Sequence, residues 1–188
     1  MNKLLPVQRH IEAQLEAARQ GGAQGQYLTL LIGAELCAVS VLVIKEIIEY
    51  AGVTVVPMMP AYVRGIINLR GAVVPVIDPL ARFGRGQAAL TRKTCIVIVE
   101  TPGGPDDEPG VTLVRGLVVD AVNAVMEIDG ADIEPAPAFG ARIRHDFIAG
   151  MARMKGRQEG QFVMLLALDK VLEVDEQEAA QSAPALLA

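Results

Sequence analysis

The chain reads as an all-β protein of barrel type, with short helices and a helical N-terminal extension. Short runs rich in Val, Ile and Leu recur along it, and Gly, Pro and Asp clusters separate them at close spacing. Many short strands with turn signals this close together indicate an all-β barrel arrangement rather than a parallel sheet.

Residues 6–19 come first and read as a helix, with Val7, Ile11, Leu15 and Ala18 on one apolar face, Pro6 at the first position and Gly21-Gly22 as the stop. Packing on the domain, pairing with a partner and floating free are the fates open to it, and the narrow face favours packing or fraying over a partner. Strands follow at residues 26–32 and 36–39. Ser40 is an N-cap candidate for a short helix carrying Ile44, Ile47 and Ile48 at helical spacing, with Lys45 and Glu49 as a solvent-facing i, i+4 pair. Residues 53–56 read as another strand.

Residues 56–84 are the most informative stretch, V-P-M-M-P-A-Y-V-R-G-I-I-N-L-R-G-A-V-V-P-V-I-D-P-L-A-R-F-G. Residues 66–70 and 72–78 read as two strands joined through a turn at Gly71. Strand alternation would set Asn68 and Arg70 on one face and Ile67 and Leu69 on the other, toward a core. An amide and a guanidinium held this way form a polar contact surface.

A loop follows at residues 85–92, then a buried strand at 94–100, a Pro- and Gly-rich loop at 101–110, and a returning strand at 111–119. Residues 147–154 and 161–168 flank a second hairpin tip at 155–160, Asp169 is expected to cap a short helix, and the tail after Asp175 reads as loose. The expected organisation is a helical extension at 1–24, one domain at 25–174 made of two subdomains (25–90 and 91–174), and a tail at 175–188.

Hydrophobic residues make up 52% of the 188, enough for a core, yet aromatics are 4% and Trp is absent, so Val, Ile, Leu and Ala must build it. A net charge of −5 argues against a nucleic-acid surface, which needs clustered Lys and Arg. No apolar run approaches the ~20 residues of a membrane helix, and the start lacks a secretory pattern. Cys37 and Cys95 have no C-x-x-C partner and read as buried hydrophobes in a reducing compartment, which makes the cytoplasm the expected location.

Catalysis finds no support in these residues. The two serines are Ser40, a cap candidate, and Ser182 in the tail. The two histidines are His10 in the extension and His145 beside Asp146, which reads as solvated surface. No spacing matches a zinc site, and Asp106-Asp107-Glu108 lacks the alternation of a calcium loop. The expectation is a protein without catalytic residues, metal or cofactor, acting through surfaces.

Residues 56–78 resemble the signature of the CheW-like domain family, approximately V-P-x-x-P-x-Φ-Φ-x-G-Φ-x-N-L-R-G-x-Φ-Φ-P-V-Φ-D with Φ apolar. Val56, Pro57, Pro60, Gly65, Asn68, Leu69, Arg70, Gly71, Pro75, Val76 and Asp78 fall on it without a gap. Further segments are similar to the family at residues 26–30, 44–47, 116–122, 133–137 and 148–151. There are two departures: Ala167 stands where many members carry an acid, and an aromatic common in the second strand is replaced near Leu36-Cys37.

The resemblance implies two small five-stranded, SH3-like β-barrels packed together and a non-catalytic adaptor. Implied partners are the histidine kinase CheA, through its CheW-like regulatory domain, the cytoplasmic signalling tips of chemoreceptors, and other CheW-like domains pairing edge to edge in rings. The adaptor would be recruited to membrane-bound receptor arrays without inserting into the bilayer. Arg70 is the leading partner-binding candidate, since its planar fork suits carboxylates and helix-end carbonyls. Asn68 would support it or close a local turn, and Arg64 is a further candidate. Glu46 would pair with a partner's basic group or with Arg70 itself. Gly65, Gly71, Pro57, Pro75 and Asp78 are expected to serve structure. An adaptor of another array, such as twitching motility, fits the motif equally. A small β-barrel module for a ligand or nucleic acid is the reading from another class.

Overall fold

The computed structural model describes residues 6–137, 143–155 and 160–175. The expected tail beyond residue 175 and most of the hairpin tip at 155–160 lie outside them.

The chain opens with helix α1 (Pro6–Gln20), followed by β1 (Gln26–Ile32) and β2 (Glu35–Ser40). Next come β3 (Ile44–Glu49), β4 (Val63–Leu69), β5 (Ala72–Ile77) and the short helix α2 (Pro79–Arg82). Then follow β6 (Cys95–Pro102), β7 (Thr112–Val119), β8 (Ala121–Glu127) and the two-residue β9 (Ile133–Glu134). The last elements are β10 (Ile148–Arg153), β11 (Phe162–Leu166) and helix α3 (Leu168–Val171). As the turn spacing predicts, the molecule is mostly β.

Two sheets form, in the orders β8-β1-β2-β11-β10-β9 and β3-β6-β7-β5-β4. One has the five strands expected of each subdomain; the other has six, the extra one being β9. The expected division at residue 90 does not match the topology. The five-stranded sheet takes one continuous stretch from β3 to β7, and the six-stranded sheet takes β1 and β2 together with β8 to β11. Two pairings over long sequence separations, β1 with β8 and β2 with β11, produce this interleaving.

The sheets share one plan, which the sequence does not display as a repeat. Along β8-β1-β2-β11-β10-β9 the pairings run antiparallel, antiparallel, parallel, antiparallel, antiparallel. Along β3-β6-β7-β5-β4 they run the same way, with the bridge Thr54–Ile66 in place of β9. Irregularities also match. Lys45 in β3 and Asn123 in β8 are unpaired in the register, as are Arg64 in β4 and Ala149 in β10. Gly65 and Gly150 follow the latter two, and a Cβ on either would collide with the neighbouring segment.

The two sheets face each other across a common core. It holds Leu28, Leu30 and Val39 from one sheet and Val97, Leu117 and Val119 from the other, with Ile11 and Leu15 of α1. Each such side chain contributes about 1.5–3 kcal/mol on burial. Helix α1 therefore packs on the domain, one of its expected fates. Ile11 and Leu15 are buried, whereas Val7, assigned to the same face by its spacing, is exposed.

Four local expectations are corrected. Residues 44–49 form strand β3, preceded by a 3₁₀ turn at Val41–Val43 that Ser40 caps by accepting the Leu42 amide. The unpaired Lys45 restores Ile44 and Ile47 to one buried face, which imitates helical spacing. Lys45 pairs with Glu100 rather than Glu49. Residues 53–56 contribute only the Thr54 bridge. Helix α3 starts after Ala167 without a side-chain cap, and Asp169 lies inside its first turn.

Cys37 and Cys95 are both buried and unbridged. Burial, aided by the nearby Glu35 charge, pushes the Cys37 thiol up to about 12.

Candidate functional site

The β4–β5 hairpin is closed by Arg70 and Gly71, both with positive φ (51° and 87°), as a tight two-residue hairpin turn requires. Leu69 and Ala72 are the paired residues on either side. Glycine accepts such a φ freely; arginine does so at a cost. Asn68 closes the turn by accepting the Gly71 amide at 2.9 Å. Of the two expectations for Asn68, the structure shows the local-turn contact. Because β4 ends at Leu69 and Arg70 is left-handed, strand alternation does not govern the Asn68–Arg70 relationship, and the expected common strand face is corrected.

The turn aims the Arg70 guanidinium at Glu46 on β3. Nη1 donates to Oε1 at 2.9 Å and Nη2 to Oε2 at 3.1 Å, a two-pronged contact. The pair joins β3 and the β4–β5 turn, and β3 and β4 are the two outermost strands of their sheet. The Thr54–Ile66 bridge lies along the outer side of β4. The Arg70 side chain is 79% exposed and that of Glu46 21%. Two of the five guanidinium N–H donors can serve Glu46, and the outer face of the fork meets solvent.

Arg64 is placed differently. It stands at the register irregularity of β4, and its side chain is only 14% exposed. Nε donates to Asp78 Oδ2 at 3.0 Å, and Nη2 donates to the Ala88 carbonyl. Asp78 is fully buried and also accepts the amides of Leu80, Ala81 and Ala88. It caps α2 and pins the loop after it. Arg64, expected on a partner surface, thus has its hydrogen bonds inside the domain. At the matching places in the other sheet stand Ala149 and Ala167, so that half lacks both members of the pair.

Gly65 lets the segment around Thr54 approach β4, since a Cβ there would lie 2.3 Å from the Thr54 carbonyl oxygen. Pro75 precedes the parallel pairing of β5 with β7, which begins at Val76, so its missing N–H leaves no ladder bond unmade there. Pro57 sits in the turn leading toward β4.

Beside the Glu46–Arg70 pair lies an open groove of about 460 Å³, lined by Lys45, Leu69, Val73 and Leu113 among others. Val73 is 65% exposed, and Leu42, Val55 and Met58 are more so. Of these, Val73 lines the groove with Arg70, and an exposed apolar side chain in a groove with a guanidinium is chemistry for docking a polypeptide.

Among the described residues no catalytic constellation accompanies this surface. His145 and Asp146 touch at 2.8 Å on the exterior, and Arg144 bonds the same carboxylate, holding it below the usual carboxylate range. Among the described residues no group of three or more His, Cys, Asp or Glu could hold a metal ion. No described helix is long and apolar enough to cross a membrane.

Sequence reasoning missed two features. Arg82 stacks on Tyr62 and on Phe147, joining α2 to the segment before β10. Several polar side chains of α1 bond to strand backbones. Neither carries a spacing signal, because the partners are far apart in sequence.

Comparison with known proteins gives a consistent result. Residues 26–176 match the family model described as the CheW-like domain. "Chemotaxis protein CheW" of Rhizobium meliloti (strain 1021) is 32% identical over 155 residues, covering 82% of this chain and 92% of that protein. "Protein FrzA" of Myxococcus xanthus is 29% identical over 138 residues, covering 72% and 78%. Among solved structures, the scaffolding protein TtCheW from Thermoanaerobacter tengcongensis superposes with a TM-score of 0.68 at 30% identity, covering 81% of this chain and 90% of that one.

Proposed function

The chain belongs to the CheW-like domain family, non-enzymatic adaptors of chemotaxis signalling, and on that footing we propose that it joins chemoreceptor signalling tips to the histidine kinase CheA. The observation that carries this reading is the Glu46–Arg70 pair. It sets a largely exposed guanidinium on a tight turn, bonded across to the far edge strand of the same sheet. A receptor's helical tip offers carboxylates and end carbonyls, to which the outer face of the fork can donate. The apolar groove beside it supplies contact area, while the charge sets register. Partners are met from the cytoplasmic side, with the adaptor drawn to the membrane through the receptors.

The test is co-purification. Tagged protein incubated with purified CheA and with receptor signalling domains should retain both together. Retention of neither, at concentrations where related adaptors retain them, would overturn the proposal.

A second reading is supported by the similarity to FrzA: an adaptor of the same kind serving another chemosensory array. The identity of the receptor that co-purifies from the source cell separates the two.

A further inference from the structure

Helix α1 lies outside the family match, which begins at residue 26, yet its polar side chains reach the backbone of both sheets. Glu12 Oε1 accepts the Ile47 amide of β3 at 3.3 Å. Arg19 Nη2 donates to the Ile44 carbonyl at 2.7 Å and to the Lys45 carbonyl at 3.0 Å. Gln14 Oε1 accepts the Val125 amide of β8 at 3.1 Å. Both strands are sheet edges, β3 of one and β8 of the other.

These contacts fall on equivalent places. In β3 the unpaired residue is Lys45, and Ile47 stands two beyond it; in β8 it is Asn123, and Val125 stands two beyond it. Each amide points away from its own ladder, where a further strand would bond. Glu12 and Gln14, two residues apart on the helix, take one each. Below them Ile11 and Leu15 complete the shared core.

An unpaired edge is a template for another strand, and covering it with a helix is one way to prevent addition. We propose that α1 is an edge guard, occupying the outer backbone groups of β3 and β8 so that neither edge adds a strand from a second copy of this chain. The guard leaves β4 and β9 as the outermost strands at the opposite sides of the two sheets. It also holds β3 on both sides of Glu46. The inference concerns the chain alone and stands whether or not the proposed partners bind.

Two experiments decide it. Amide exchange of the intact chain should show Ile47 and Val125 protected. In the combined variant Glu12→Ala, Gln14→Ala, Arg19→Ala, both should exchange at least about tenfold faster, while amides inside β6 and β7 keep their rates. The same combined variant keeps Ile11 and Leu15 in the core, and it should form dimers or larger species with rising concentration, read by light scattering. Fast exchange at both positions in the intact chain would overturn the proposal, as would a combined variant that stays monomeric.

Discussion

Glu46 and Arg70 stand 24 residues apart and meet through two hydrogen bonds of 2.9 and 3.1 Å, linking the outermost strand on one side of a five-stranded sheet to the hairpin on its other side. The contact is exposed on the arginine's side and partly covered on the glutamate's. It can therefore fix a surface without being a large source of stability.

Arg70→Ala should lower stability by no more than about 1 kcal/mol, since an exposed ion pair rarely contributes more. Receptor–kinase coupling should fall by about tenfold or more in a ternary pull-down. Arg70→Lys should recover little, because a point charge cannot reproduce the fork. If Arg70 acts only through Glu46, then Glu46→Ala alone and the double variant should match Arg70→Ala. A larger loss in the double variant than in either single one would show that each side chain also acts separately.

Asp78 is the opposite case, buried and holding three amides and one guanidinium. Asp78→Ala removes the α2 cap and leaves Arg64 without its carboxylate in a poorly solvated place, which should cost about 3 kcal/mol or more. The urea midpoint gives the number. Removing Arg64 as well should not add a second loss of that size, because the two belong to one network.

Both Gly71 and Gly65 have positive φ (87° and 149°), and only Gly65 adds a collision to the strain. Gly71 has a φ of 87°, and a Cβ added there would meet nothing within 4 Å, so Gly71→Ala should cost about 1 kcal/mol from conformation alone. Gly65→Ala adds a contact of 2.3 Å with the Thr54 carbonyl oxygen, and should cost well over twice as much. Thermal melts of the two variants compare them directly.

The Cys37 thiol gives a pH dependence. Its pKa is raised by burial to about 12 from an ordinary 9.0. The unfolded chain therefore releases this proton first as pH rises. The stabilisation is fully present below pH 9.0 and is progressively lost between there and about 12. Cys37→Ala or Cys37→Val should flatten that part of the stability profile. Native protein should also resist alkylation at this thiol until it unfolds.

The β4–β5 hairpin is legible in the sequence because Gly71 and the neighbouring apolar runs are local signals. The β6–β7 hairpin is legible for the same reason, its loop being marked by Pro and Gly. Strand β3 is not, because one extra residue at Lys45 shifts the inward positions to a spacing of three. The division of strands between sheets is also hidden, since parallel pairs such as Met164 with Cys37 leave no local trace. At the candidate site, the pairing of Glu46 with Arg70 stands among the alternatives the residues offer. The inward turn of Arg64 does not, because alternation alone cannot show which residue in a strand lacks a partner.

The six-stranded sheet draws on both ends of the chain, and this orders events during synthesis. The stretch from β3 to β7 emerges as one block and can assemble while later residues are still being added. The hairpin of β1 and β2, made earliest, must wait beside the ribosome until β8 and β11 arrive to flank it.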